Sequence, residues 1–366
     1  MKRIYGLIVA LLIAGMLFSA PVFAIDDPFE GTGISEGFEL FAEGAAAALP
    51  FNTTIGLQWS NAHIGQLLRF PPKVGAGVAI GVTTMPLSAL QSATDAFNFE
   101  GSEGIDFAER LGEAAEFGLP LPGYAIDARA GGLLLPFDVG VKLGYLPEYT
   151  GDGWTLDNVL VGADLRYRII RGRLMLPTIS VGVGANYMQG GVSFAGIFGS
   201  DIAFDSVELP DYDDPQQTRT YDLALSDPNL RFTWETAVID FKAQASSNLL
   251  LLTPYIGAGL SYAQSTAGGG LTSRISVSED GVDLTDEQIQ QLQEAYDKAR
   301  SEDPSLPAID FRGEGGVLTS STVAGWGTRI YAGTSLNLLI LKLDISGMYN
   351  LTSGDVGANI GLRIQL

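Results

Sequence analysis

The sequence predicts an all-β protein, an antiparallel up-and-down transmembrane β-barrel of about twelve strands, within a range of roughly ten to fourteen, with helices in long outer loops. Three observations predict this fold. Apolar residues recur at every second position in many segments, and charged residues take the alternate positions. The mean hydropathy is positive, at +0.20. Beyond the N-terminal region, no apolar run reaches the ~20 residues that a membrane helix needs.

The N-terminal residues predict a secretory signal peptide over residues 1–24. Lys2 and Arg3 form a positive region, residues 4–18 are apolar, and small residues precede the expected cleavage after Ala24. A membrane anchor is the alternative, but the apolar run is too short to span a bilayer. Residues 25–366 are then expected to form a single barrel domain. The chain has no cysteine, so no disulfide is available.

The first segment of the predicted domain allows two interpretations. In residues 36–49, the alternation of Phe38 and Leu40 indicates a first strand, whereas the alanines at 45–48 favour a helix. Residues 53–60 are predicted to form a strand whose face includes Trp59.

Ten further segments show the period of a strand. They are residues 74–82, 124–131, 137–145, 161–169, 179–187, 231–245, 256–262, 326–337, 341–351 and 356–366. In residues 231–245 the apolar positions change phase, and we expect a β-bulge near Val238. The eleven strands and residues 36–49 together give about twelve, because bacterial barrels prefer even numbers.

Short and long connections alternate along the chain. The short turns are rich in leucine, as in residues 133–136, 174–177, 249–254 and 337–340. The long connections hold 28 of the 42 acidic residues but only 6 of the 21 basic ones. Outer-membrane barrels have short periplasmic turns and long outer loops, so we expect the acidic segments outside. Nucleic acid is therefore an unsuitable partner. Within one long loop, Thr285 and Gln288 predict a capping box for a helix over Leu284–Arg300.

The charged residues of the strands are the candidate functional residues, because alternation directs them into the lumen. Two interpretations stay open: a polar wall that conducts solutes, or ion pairs that close the barrel. The lumen-facing candidates are Asp127, Arg129, Asp138, Lys142, Asp164, Arg166, Arg168, Glu235, Asp240, Lys242, Arg329, Lys342, Asp344 and Arg363.

No enzymatic site is expected. Membrane hydrolases of this kind need a histidine near the outer rim, and the single histidine, His63, is predicted to lie in a periplasmic turn. No catalytic, cofactor or metal-binding residues are assigned, and no cofactor is implied.

The signal and strand pattern together resemble bacterial outer-membrane barrels, in particular those of spirochaete type. The resemblance implies an outer-membrane location and insertion by the barrel insertion machinery. Such barrels usually end in Phe or Trp, whereas this chain ends in Leu366.

Three functions follow as hypotheses. The first is a passive, porin-like channel for small polar or cationic solutes, with acidic loops that concentrate cations. The second is a closed barrel that acts as an adhesin or structural envelope protein through its loops. The third is a FadL-like transporter of apolar ligands, which an apolar lumen lining would favour.

Overall fold

A computed structural model describes residues 34–68, 72–85, 119–133, 135–151, 153–172, 176–195, 202–203, 207–211, 217–279, 281–302, 311 and 314–366. The predicted signal peptide lies outside these residues. No helix in the described ranges is both long enough and apolar enough to cross a membrane.

Ten antiparallel strands close into a barrel. Each strand pairs with its neighbours in chain order, and the last strand pairs with the first to complete the ring. The barrel strands are β1 (Val74–Met85), β2 (Leu119–Gly131), β3 (Phe137–Gly151), β4 (Trp154–Ile170), β5 (Thr178–Phe194), β8 (Thr218–Ser246), β9 (Tyr255–Glu279), β11 (Glu314–Leu338), β12 (Leu341–Asn350) and β13 (Val356–Gln365). All ten match segments in which the sequence predicts strands; the expected total of about twelve is not reached.

The outward face of the barrel is an apolar belt. Ile345 and Ile360 are 51% and 57% exposed, and similar aliphatic residues recur at every second position around the ring. At one height Tyr262 packs on Trp326, with ring centroids 5.2 Å apart. So large an exposed apolar surface is unusual for a protein in water and suits lipid.

The missing strands are explained by the N-terminal part of the domain, which lies inside the barrel. Helix α1 (Ile34–Asn52) settles the choice for residues 36–49 in favour of the helix. Residues 53–66, called here the inner segment, run through the lumen without forming a ladder strand. The prediction of a strand at 53–60 is therefore wrong. Trp59 is 3% exposed inside the barrel and does not face lipid.

The two ends of the barrel differ. At the short-turn end, short connections join β2 to β3, β4 to β5, β8 to β9 and β11 to β12, and Gln66 forms a bridge to Gly132 there. At the long-strand end, β8, β9 and β11 extend beyond β12, whose last pair with β11 is Asn350 with Arg329. Helix α1 packs against this extended part through contacts that include Ala267 and Val323. The inner segment thus leads from the long-strand end to the short-turn end.

Strand β8 keeps one phase from Asn229 to Ser246. Its pairs with β5 and β9 are continuous through Val238, so the β-bulge predicted there is wrong; the register shift lies between Ser226 and Asn229. Consequently Trp234 and Val238 face the lumen, and Glu235, predicted to line it, lies on the outward face, where the Tyr187 hydroxyl donates to it over 3.1 Å.

A small domain-like extension forms at the long-strand end. It contains β6 (Ile202–Ala203), β7 (Val207–Pro210), β10 (Val282–Asp283) and α2 (Asp286–Glu302). The predicted capping box is confirmed. The backbone N–H of Gln288 donates to the Thr285 hydroxyl, and the backbone N–H of Thr285 donates to the side-chain oxygen of Gln288. Tyr296 of α2 packs edge-on against Phe311, and the backbone N–H of Phe311 donates to the Gln293 side chain, so α2 also contacts the chain that follows it.

Candidate functional site

The candidate site is the contact between the inner segment and the charged wall of the lumen. Strand alternation alone places the wall charges, since every second residue of each strand points inward. Of the fourteen predicted lumen residues, Glu235 faces outward. Arg168 and Lys342 are partly buried at inward positions, and the remaining residues have their side chains buried or nearly so.

Asp138 is the most connected of these side chains. Its carboxylate is fully buried and accepts from Arg129 Nη1 at 2.6 Å and from Arg166 Nε at 2.8 Å. It also accepts from the backbone N–H of Ile64 at 3.1 Å and lies 3.2 Å from His63 Nδ1. His63 therefore lies in the lumen, and its predicted place in a periplasmic turn is wrong. One carboxylate joins two wall guanidinium groups to the inner segment.

Asp127 and Lys142 face each other on neighbouring strands, yet each bonds to the inner segment. They form a cross-strand pair in the register of β2 and β3. Asp127 accepts from the N–H of Leu57 at 2.7 Å and from the indole N–H of Trp59 at 3.1 Å. Lys142 donates to the carbonyl of Ile55 at 2.8 Å and to that of Thr53. Opposite charges that would otherwise pair are thus both used to hold the chain.

The polypeptide turns sharply between these two charges. Gly56 and Leu57 have φ values of +79° and +59°, a conformation that costs energy for leucine. A Cβ at Gly56 would lie 2.9 Å from the Cβ of Ala125, so a larger residue has no room. Glycine at this position lets the backbone approach the wall.

The next residues contact other strands of the wall, β13 and β8. The guanidinium of Arg363 lies 4.5 Å from the centroid of the Trp59 ring and donates to the Ser60 hydroxyl over 2.9 Å. Gln244 donates to the carbonyls of Trp59 and Ser60. The contact therefore surrounds the inner segment rather than fixing it to one strand.

Other wall charges pair mainly among themselves. Arg329 forms a two-pronged pair with Asp240, at 2.7 and 2.8 Å, and Lys242 bonds to Asp164. Asp164 also accepts from Arg129. Because these bonds lie within the wall, they remain available if the inner segment moves.

The charge of the site is unbalanced. Of the thirteen predicted lumen charges that lie at inward positions, eight are basic and five are acidic. The inner segment contains no Asp, Glu, Lys or Arg. Its carbonyl oxygens instead accept from the wall cations, as when Arg166 donates to Asn61 over 2.8 Å. Backbone carbonyls thus satisfy part of the positive excess.

Little free space remains beside the inner segment. Two cavities of about 20 Å³ flank it near Gln58, and each has room for one or two water molecules. The arrangement described is a closed lumen.

The long-strand half of the lumen is apolar. Ala46 and Leu49 of α1 are buried against a wall that includes Leu160, Met188 and Trp234. The sequence indicated charge and glycine as the lumen lining, and it missed this surface because its aromatic residues were assigned to the lipid face. The described residues contain no cluster of three or more acidic or histidine side chains suited to a metal ion.

The sequence also missed the residues of the inner segment that contact the wall. The sequence signal that could have identified them is the absence of charge, because residues 44–68 contain no Asp, Glu, Lys or Arg. Such a stretch can fill a lumen because its backbone groups bond to the wall without introducing further charge.

No protein-family model matches the chain, and no curated protein matches it. Solved structures with some likeness include a bacterial polysaccharide outer membrane secretin, with 8% identity and a TM-score of 0.21 over 80% of this chain and 98% of that one. The transport unit of the autotransporter AIDA-I from Escherichia coli has 7% identity and a TM-score of 0.20 over 90% and 99%. The CymD monoaromatic hydrocarbon channel has 10% identity and a TM-score of 0.22 over 94% and 98%.

Asp138→Ala is expected to lower the free energy of unfolding by about 3–5 kcal/mol, because it leaves two buried guanidinium groups without their shared carboxylate. Urea unfolding of the refolded protein measures the change. Asp283→Ala, at an exposed position in β10, serves as the control and should change stability by less than about 0.5 kcal/mol. Equal effects of the two substitutions would contradict the assigned role of Asp138.

Proposed function

We propose that this protein is an outer-membrane channel for small polar solutes that its own inner segment closes. The observation that carries the proposal is the filled lumen, in which residues 53–66 bond to the wall on all sides. A barrel built only for mechanical stability would need no separate segment there, since many wall charges already pair with one another. Movement of the segment together with α1 would leave a passage whose short-turn half is polar.

The membrane location is part of the proposal. It is supported by the apolar belt and by the predicted signal peptide at residues 1–24. Outer-membrane lipid and the barrel insertion machinery are then the expected partners, and a relationship to spirochaete-type barrels stays a prediction. The proposal includes no catalytic activity.

Opening requires that Asp127 and Lys142 release the inner segment. The two side chains lie directly opposite each other, so they can form an ion pair across β2 and β3 once their backbone partners leave. This exchange reduces the cost of opening, because neither charge stays unpaired. The turn at Gly56 and Leu57, with its two positive φ values, is the part of the segment that they hold.

The charge selectivity depends on which region limits passage. The acidic outer loops favour cations at the mouth, as the sequence suggested. The described wall, with its excess of three positive charges, favours anions in the lumen. The reversal potential in a salt gradient distinguishes the two, and we expect the wall to dominate because a narrow, poorly solvated passage strengthens electrostatic interactions.

A disulfide between the inner segment and the wall tests the closure. The N–H of Ala62 donates to the Ser246 hydroxyl over 2.9 Å, so the two residues are in direct contact and are the pair chosen for cross-linking. The chain contains no other cysteine. In planar bilayers, Ala62→Cys/Ser246→Cys should show no opening events when oxidised and should recover them after reduction. The single-cysteine variants should open under both conditions.

If the unmodified protein shows no conductance under any condition, the channel proposal fails and the closed-barrel hypothesis replaces it. If the oxidised variant conducts like the reduced one, the inner segment is not the closure.

Weakening the contact should have the opposite effect. Trp59→Phe removes the indole N–H that donates to Asp127 and keeps Asp127 available to pair with Lys142 when the segment leaves. We expect the open fraction to rise by about 10-fold, since a hydrogen bond to a charged group contributes about 1.5–3 kcal/mol. The control is Thr236→Val, whose wall hydroxyl bonds to Ser265. An unchanged open fraction in Trp59→Phe would contradict the assigned role of the contact between Trp59 and Asp127.

One observation favours a second function, the passage of an apolar ligand. The long-strand half of the lumen presents Leu160, Met188 and Trp234, and α1 covers them with small side chains. An apolar molecule that displaced α1 would find an apolar surface of the kind that ligand sites offer.

Binding of N-phenyl-1-naphthylamine tests this second function. Ala46→Asp places a charge on the buried side of α1 and should expose the apolar wall, so we expect the probe to bind at least several-fold more tightly. Ala47→Asp changes the exposed side of the same helix turn and should leave binding unchanged. Equal binding by both variants would show that this wall serves only as the seat of α1.

A further inference from the structure

The short-turn end of the barrel carries an unusual rim of exposed aliphatic side chains. Leu133 and Leu135 lie in one turn, Leu176 in the next, and residues 249–252 and 338–340 in the other two. We call this set the leucine rim. Turns exposed to water are normally rich in glycine, asparagine, aspartate and serine. The turns at 132–136, 247–254 and 339–340 contain no charged residue.

Two residues of the leucine rim have a conformation that makes leucine a poor choice in water. Leu250 and Leu339 have φ values of +47° and +59°, and each side chain is 97% exposed. Each begins a two-residue hairpin loop, as the pairs Leu249–Leu252 and Leu338–Leu341 show. Glycine or asparagine adopts this conformation more easily. In water these leucines would incur the backbone strain without any burial to offset it.

The height of the apolar belt explains why leucine is present. Tyr262 and Trp326 mark the upper edge, because the outward residues beyond them include Thr266 and Thr322, whose hydroxyls bond to each other. Such aromatic residues lie at the membrane interface.

The turns lie close to the lower boundary of the hydrocarbon. The apolar band of such barrels is about 25 Å tall, and at a tilt of roughly 40° each strand residue advances about 2.5 Å along the membrane normal. Trp326 lies twelve residues from Leu338 in β11, which is about 30 Å along the normal. Tyr349 lies eight residues from Leu341 in β12, which is about 20 Å. The turn that joins these two strands is therefore within about 5 Å of the lower edge of the band.

We propose that the leucine rim is a lipid-binding surface at the lower edge of the hydrocarbon of the inner leaflet. The inference rests on the membrane location proposed above, and it adds that this end of the barrel does not project into water. The rim adjoins the belt, since Ile340 accepts a backbone bond from Gln365 beside the outward residues Ile364 and Leu366. The turn at residues 171–177 differs from the other three because its sequence includes Arg171 and Arg173. A protein partner would need a ring of contacts around the whole barrel, whereas lipid already surrounds the adjoining belt.

Single-cysteine variants test the position of the leucine rim. Leu250→Cys and Leu339→Cys are labelled with an environment-sensitive fluorophore and reconstituted in phosphatidylcholine vesicles, alone or with brominated lipid. Ile345→Cys in the middle of the belt is the lipid control, and Glu287→Cys in α2 is the water control. We expect brominated lipid to quench both rim labels as strongly as Ile345→Cys, and aqueous iodide to quench only Glu287→Cys.

The controls separate the two proposals. If Ile345→Cys is quenched by lipid and the rim labels are quenched by iodide, the rim inference fails and a protein partner at that end becomes the better explanation. If Ile345→Cys is itself accessible to iodide, the membrane location fails.

A double substitution gives an independent test, because it should destabilise the protein if the turns lie in lipid and stabilise it if they lie in water. Leu250→Asn/Leu339→Asn relieves the backbone strain but replaces apolar side chains with amides. If the leucine rim lies in lipid, the equilibrium constant for unfolding from the bilayer rises about 10-fold or more. A constant that falls, or does not change, means that water surrounds the turns and overturns the inference.

Discussion

The structure depends on how buried charges find partners inside a narrow barrel. An unpaired ion in such a place is strongly unfavourable, and the wall offers more cations than anions among its described residues. Pairs such as Arg329 with Asp240 resolve part of this within the wall. The inner segment resolves another part with carbonyl oxygens and adds donors for Asp127 and Asp138. The hydrogen bonds that close the lumen are therefore the same bonds that give the buried wall charges their partners.

The periodicity of the sequence was sufficient to predict the strands of the barrel wall. Alternation identified the segments of all ten strands and the inward direction of charges such as Arg129 and Asp344, because the strand period of two is imposed by the backbone itself. The same period misled at residues 53–60. An extended chain enclosed on every side also alternates its side chains, so Trp59 gave the signal of a membrane strand while it lies among Arg363 and Asp127.

Strand β8 shows a second reason why the sequence alone misplaced residues. The rule that barrels place apolar residues outward assumes a lumen filled with water. Where protein fills the lumen, that assumption fails, and Trp234 faces inward to meet α1. The phase change that suggested a bulge near Val238 is in fact the boundary between an apolar and a polar part of one continuous inward face. Only knowledge of the occupant could have revealed this, and the occupant is distant in sequence.

The path of the inner segment has a consequence for assembly. Strand β1, which begins only a few residues after it, forms the seam with β13 over a register from Gly75 with Gln365 to Thr83 with Gly357. The first strand to appear in the chain is thus also a partner in the last junction to form, and the segment tied to it lies within the ring. During assembly, the inner segment must therefore enter the ring either before β1 pairs with β13 or after that pairing. Closure of the ring and entry of the inner segment are then successive steps of one process.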